Sequence, residues 1–230
     1  MAILILLLLL LPTLRACRRI ASLRRRGMSA QAQKQYRIAA WRLGSLIWLA
    51  MAVQELILLK GGQLTWRTGL PLHLCSLLGV LTLPMLLTGH PVLRSAAFFA
   101  GMPGAALALA YPAMLATPWP RLTSLAFHTL HAGLICAPVL SMSLGWRPRA
   151  ADAVSAWFFL LLACIASAAA NTLTGGNYLF LAGPVSGTPL EAMAQYGLAV
   201  YRGLLMFSAT FVLTIEAAAV HALEKRRYSA

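Results

Sequence analysis

Long apolar runs separated by short polar intervals follow one another along the whole chain. Seven runs can be counted, at residues 2–14, 43–59, 70–87, 95–115, 122–140, 152–170 and 196–223. A helix needs about 20 predominantly apolar residues to cross a hydrocarbon core of about 30 Å. The pattern therefore predicts an all-α, polytopic membrane bundle of seven transmembrane helices. The first run reaches only about 20 Å at 1.5 Å per residue. It either thins the bilayer locally or lies partly in the interface, which would leave six spans. It has no positively charged leader and no small-residue cleavage site, and its charges follow the apolar stretch, so it reads as an anchor and not as a signal peptide.

Charge orients these runs. Between runs one and two lie Arg15, Arg18, Arg19, Arg24, Arg25, Arg26, Lys34, Arg37 and Arg42. Every second connection after that is also basic: Arg94, then Arg147 and Arg149, then Lys225, Arg226 and Arg227. The alternate connections hold only Lys60, Arg67, Arg121 and Arg202, a division of 15 basic residues against 4. The positive-inside rule then puts the N-terminus outside and the C-terminus in the cytoplasm. The interval 15–42 is expected to be a basic cytoplasmic loop along the inner leaflet, and 171–195 an outer loop.

Composition agrees. Hydrophobic residues make up 60% of the chain and the mean hydropathy is +0.76. With seven spans in 230 residues, nearly everything is embedded, as one domain of a multi-pass plasma-membrane protein. A formal charge of +14 would suggest nucleic acid in a soluble protein. Here the cations sit at membrane edges, where topology and anionic headgroups account for them, so no nucleic-acid partner is expected. The cysteines, Cys17, Cys75, Cys136 and Cys164, form no paired motif, and no disulfide framework is expected. Cys136 and Cys164 fall in apolar helix interiors, where they pack as small hydrophobes.

Polar side chains in membrane helices are costly and mark functional sites by default. Only five acids are present: Glu55, Asp152, Glu191, Glu216 and Glu224. The topology brings Gln54 and Glu55, His73, Cys75 and Ser76, Tyr111, Ser124, His128 and His131, Asn171, Asn177 and Tyr178, and Tyr196, Tyr201 and Arg202 to the outer half of the bilayer. The inner half has little beyond Glu216 and His221. Six spans thus contribute polar groups to one level. Plainer readings exist for several of them. Glu55 pairs with Lys60, the tyrosines belong to an interfacial belt, or Asn171 ends a helix. His128 and His131, three apart on one helix face with Ser124 on the same stripe, are harder to dismiss.

Three segments add detail. In Gly69-Leu-Pro-Leu-His-Leu-Cys-Ser76, Pro71 suits a first helical turn, placing His73, Cys75 and Ser76 near free N–H groups that stabilise anions and activate thiols. Residues two apart on a helix point about 200° apart, so either His73 with Ser76 or Cys75 lines the cavity. Gly101 and Gly104 lie on a small-residue face that lets another helix approach. The stretch from Asn171 through Pro189 is turn-rich and long for a membrane connection, as lids and binding loops often are.

Taken in order, Leu70-Pro-Leu-His-Leu-Cys-Ser76, Gly104-Ala-Ala-Leu-Ala-Leu, the His128/His131 pair and Asn171 with Gly176-Asn-Tyr-Leu-Phe-Leu181 resemble the YwaF-type integral membrane proteins of bacteria. That family is similar, more distantly, to a eukaryotic ether-phospholipid acyltransferase that uses a cysteine and a histidine. It is similar also to the androgen-induced-protein group, hydrolases of branched fatty-acid esters. The context His131-Ala-Gly-Leu-Ile-Cys-Ala-Pro138 resembles that of the acyltransferase's catalytic histidine. The acyltransferase's cysteine immediately precedes a histidine, whereas Cys75 follows His73 by two. The resemblance therefore implies Cys75 first and Ser76 second as nucleophile.

Three functions compete. In the first, Cys75 or Ser76 attacks a membrane phospholipid acyl ester and His131 takes the proton. His128 or Glu55 orients His131, and Asn171 or Asn177 stabilises the oxyanion. The third helix N-terminus or Arg202 holds the lipid phosphate, with His73 and Tyr178 completing the substrate site. In the second, the same cavity binds or transports a lipid or small solute without turnover. In the third, His73, His128, His131 and Glu55 hold a metal; their types suit zinc, but no longer signature supports it. The preferred acyl reading requires no metal and no cofactor.

Overall fold

The computed structural model describes residues 1–112, 117–184, 188 and 190–228. The end of the fourth run (113–115) and part of the outer loop (185–187 and 189) lie outside the described residues. All regular elements among the described residues are helical. They are α1 (Ala2–Arg25), α2 (Ser29–Lys60), α3 (Leu74–Thr88), α4 (Pro91–Ala96), α5 (Met102–Ala110), α6 (Pro120–Met142), α7 (Asp152–Thr174), α8 (Leu190–Ala194) and α9 (Leu198–Tyr228). A wider π turn at Ala97–Gly101 joins α4 and α5 into one run.

Five of the described helices are long and apolar enough to cross a membrane: Ser29–Lys60, Pro91–Ala110, Pro120–Met142, Asp152–Thr174 and Leu198–Arg226. α3 is apolar but only 15 residues long, and α1 has 24 residues with five arginines among them.

Two boundaries differ from expectation. The basic interval 15–42, expected as a loop, is helical except for a turn at 26–28, where Gly27 takes a φ of 76°. Arginine, lysine, glutamine and alanine are good helix formers, and the change in hydropathy marks where a helix becomes wetted, not where it ends. Helix three, expected to begin around Pro71, begins at Leu74, with His73 as an extended N-cap (φ −69°, ψ 144°). Tertiary hydrogen bonds delay it. The Leu70 N–H donates to Tyr178 Oη at 3.0 Å, and the Leu72 carbonyl accepts from Ser167 Oγ at 3.1 Å. In a helix begun earlier, that carbonyl would accept from the N–H four residues on.

α6 runs through the centre. Its Leu130, Leu134, Ala137 and Leu140 pack with the α2 stripe Tyr36, Ala40, Leu43, Ile47 and Ala50 and with Leu78, Met85 and Leu86 of α3. A second cluster joins Phe99 to Ala156 and Leu160 of α7 and to Leu213 and Val220 of α9. Glycines set the spacing: a Cβ on Gly133 would lie 2.5 Å from Ile47, and one on Gly44 would lie 2.8 Å from Leu83. Small residues allow such approach in lipid, where van der Waals packing is the main attraction between helices. The C-terminal end of α6 is met by cations: Arg24 Nη1 donates to the Ser143 carbonyl at 3.4 Å and Arg147 Nη1 to that of Met142 at 2.6 Å. Cations there complement the helix dipole. Beyond it, Asp152 hydrogen-bonds the exposed Arg149 guanidinium at 3.0 Å and holds its pKa above the ordinary value.

Gly133→Val is expected to lower stability by about 1–3 kcal/mol, because the added methyls must displace Ile47. Gly203 has nothing within 4 Å of an added Cβ, so Gly203→Ala should be neutral or stabilising by up to about 1 kcal/mol. Thermal unfolding of both variants in detergent, followed by circular dichroism, checks the contrast.

Candidate functional site

Gly79 marks the level where three helices meet. A Cβ placed on it would lie 2.6 Å from Met51 Sδ of α2 and 3.0 Å from Leu130 Cδ1 of α6. One helical turn is about 5.4 Å. Within four residues of this level, about 6 Å along the helix axes, lie Cys75 and Ser76 on α3, Glu55 on α2, and His128 and His131 on α6. Cys75 and Ser76 precede Gly79 by four and three residues, so both flank its inward face. Cys75 packs against the main core. The π turn and α5 close the other side of α3, with Gly101 against Leu78 and Gly104 against Leu74.

The histidines are buried, His128 at 5% and His131 at 4% exposure. His128 Nδ1 lies 2.6 Å from the Ser124 carbonyl and 3.3 Å from Ser124 Oγ; His131 Nδ1 lies 2.7 Å from the Phe127 carbonyl. A carbonyl only accepts, so each Nδ1 carries the proton. In the neutral ring Nε2 is then left with its lone pair. The Phe127 ring packs on His131, centroids 4.1 Å apart, and fixes the imidazole plane. Cys75 forms no hydrogen bond to either histidine, and Glu55 forms no ion pair with Lys60 or any other described residue. Among the described residues no three His, Cys, Asp or Glu side chains converge as metal ligands.

The remaining expected site residues form a separate group that builds the loop after α7. Asn171 Nδ2 donates to the Tyr178 carbonyl at 3.0 Å, and the Tyr178 N–H donates to Asn171 Oδ1 at 2.6 Å. Tyr178 is fully buried; its hydroxyl donates to the Trp66 carbonyl at 2.8 Å and accepts the Leu70 N–H. Asn177 bridges the Gly183 carbonyl and the Ala182 N–H. From α9, Tyr201 Oη donates to the Phe180 carbonyl at 2.8 Å and Arg202 Nε to that of Leu181 at 2.7 Å. Asn171, Asn177 and Tyr178 thus direct their polar atoms at loop backbone, and so does the Nε of Arg202.

This clamp holds Leu179 and Phe180 at φ 54° and 58°, a left-handed conformation costing about 1–2 kcal/mol per residue without glycine. It sets the Tyr178 and Phe180 rings 5.4 and 5.2 Å from the His73 ring. His73 is the N-cap of α3 and lies next to the first helical turn, which carries Cys75 and Ser76, so the clamp and the α6 histidines meet through α3. Tyr201, open to an interfacial reading from sequence, is an interior strut at 0% exposure, while Tyr111 and Tyr196 are exposed. Sequence reasoning missed Ser167, Phe180 and Arg67, whose Nε donates to the Thr174 carbonyl at 3.0 Å. Ser167 stands in a run of small apolar residues, and nothing local distinguishes it.

Asn171→Ala removes both bonds to Tyr178, worth about 1–3 kcal/mol where a buried group is left unpaired. Amide exchange at residues 176–182 should rise before the rest of the bundle responds. A uniform change, or none, would show that the clamp does not hold the loop.

Among curated proteins and among solved structures there is no match to this chain. A family model, that of the TMEM164 family, matches residues 1–215. That match takes in the α6 histidines, the α3 turn and the clamp, and runs from the first residue into α9. The chain, with its several membrane-length apolar helices, belongs to the TMEM164 family of multi-pass membrane proteins.

Proposed function

We propose that this protein acts on lipid acyl esters in the cell membrane, with Cys75 as nucleophile and His131 as base. The observation that carries the reading is the His131–Phe127 hydrogen bond. It orients a buried imidazole with Nε2 free to accept a proton, on the helix whose Leu130 and Leu134 belong to the core that Cys75 packs against. In the reaction, Sγ bonds to the ester carbonyl carbon as its proton passes to His131 Nε2. The adduct collapses by breaking the carbon–oxygen bond, and His131 returns the proton to the departing alcohol. The acyl group is left as a thioester. Water or the hydroxyl of a second lipid then attacks, giving its proton to His131, and the thiol is regenerated as the new acid or ester departs.

The same reading includes the kinship to YwaF-type proteins and the seven-span topology, with α1 and the short α3 both crossing and the N-terminus outside. The site then opens to the outer leaflet of the plasma membrane. Ser124 fixes His128 one turn before His131, and Glu55 lies at the same level on α2. Contacts between catalytic groups are often long without substrate and tighten when it binds, which accommodates the separation of Cys75 from the histidines. The clamp group, His73 with Asn171, Asn177, Tyr178 and Arg202, shapes the mouth of the site, and the terminal guanidinium nitrogens of Arg202 face the lipid phosphate.

Mass spectrometry of lipids after incubation with protein in nanodiscs tests this. Wild type should generate lysolipid, free fatty acid or remodelled chains. His131→Ala and Cys75→Ala should each lower the yield by about 10²–10⁴-fold. Activity that survives Cys75→Ala but is lost in Ser76→Ala would transfer the nucleophile to Ser76. Identical profiles for wild type and all variants across a broad lipid panel would overturn the enzyme and leave lipid or solute binding, or transport.

A further inference from the structure

The outward face of α2 changes character along its length. Its inward stripe packs the core at Tyr36, Ala40, Leu43, Ile47 and Ala50. On the opposite face, at the same helical spacing, Lys34, Arg37 and Arg42 come first, with the half-exposed Trp41 among them. Trp48 and Leu49 follow, at 43% and 60% exposure. Lys34 to Leu49 spans about 22 Å, the depth of one leaflet with its headgroups. Cations, an interfacial tryptophan and an apolar track thus follow in the order in which a phospholipid presents phosphate, glycerol and acyl chain.

Gln33, Lys34, Arg37, Ile38, Trp41 and Arg42 line an open depression of ≈ 670 Å³. A smaller one of ≈ 280 Å³, between α1 and α2, shares Lys34 and adds Arg19 and Leu23. No acidic residue precedes Glu55 in the chain. Arg19, Lys34, Arg37 and Arg42 make no ion pair or hydrogen bond with any described residue. Arg24, by contrast, is engaged with the end of α6. A positive charge bias alone would set topology, but it requires neither that these cations share one helix face nor that an apolar track continues from them. A nucleic acid would match the cations but not Trp48 and Leu49.

We propose that this face of the α1–α2 hairpin binds an anionic phospholipid. Its phosphate is held by Arg19, Lys34 and Arg37, its glycerol region lies at Trp41, and one acyl chain runs along Trp48 and Leu49. The site is separate from the α6 histidines and stands whether or not the acyl chemistry does.

Native mass spectrometry of the full chain in detergent, titrated with phosphatidylglycerol or phosphatidylcholine of the same acyl chains, tests it. Wild type should retain phosphatidylglycerol preferentially. Lys34→Gln with Arg37→Gln should weaken that retention about thirty-fold, at roughly a factor of five per cation. The swap Lys34→Arg with Arg37→Lys should keep it, and so should Arg25→Gln with Arg26→Gln at the hairpin turn. Equal losses in the groove and turn variants would reduce the effect to diffuse charge and overturn the site. So would equal retention of the two lipids, or displacement by inorganic phosphate or duplex DNA as effective as that by phosphatidylglycerol.

Discussion

At Gly79 the α3 backbone comes so close to Met51 and Leu130 that an added methyl group would force one of those side chains to shift, and much of the structure depends on such close approaches. Helices in lipid gain little by hiding apolar surface from one another, since the lipid is as apolar as they are. Their positions are set by how closely backbones approach. With Gly44 and Gly133 acting in the same way, α2, α3 and α6 lock at a defined depth. That packing brings Cys75, Ser76, Glu55, His128 and His131 to neighbouring levels on three separate helices, within about 8 Å along the helix axes.

A second constraint is that backbone polar groups away from water need partners. The α3 helix gives up its expected first turn, and the freed groups are met from elsewhere: Leu70 N–H by Tyr178, and the Leu72 carbonyl by Ser167. The same tyrosine is held in turn by Asn171. A side chain from α7 thereby positions the entrance to α3, and two left-handed residues, Leu179 and Phe180, are tolerated because the bonds around them over-determine their conformation.

The two histidines show how a polar group is accommodated inside such a bundle. Each bonds a carbonyl one turn earlier on its own helix through Nδ1, which removes part of the cost of burial and keeps the other nitrogen available. The asparagines behave differently. Both ends of each amide are bonded to backbone, and they serve geometry first.

Hydropathy and its period determined the helical class, the membrane setting and the approximate position of every long apolar helix, because a bilayer admits few alternatives for such runs. The pairing of His128 and His131 on one face was legible for the same reason: an i, i+3 spacing is local. Three things were decided only by tertiary structure. The helices continue through the arginines of 15–42, since the edge of an apolar run records the end of the hydrocarbon and not of the backbone pattern. α3 starts at Leu74 and not at Pro71, since groups a hundred residues away bond its entrance. And Asn171, Asn177 and Tyr178 face loop backbone, since a polar side chain has the same sequence signature whether its partner is a ligand or a distant peptide group.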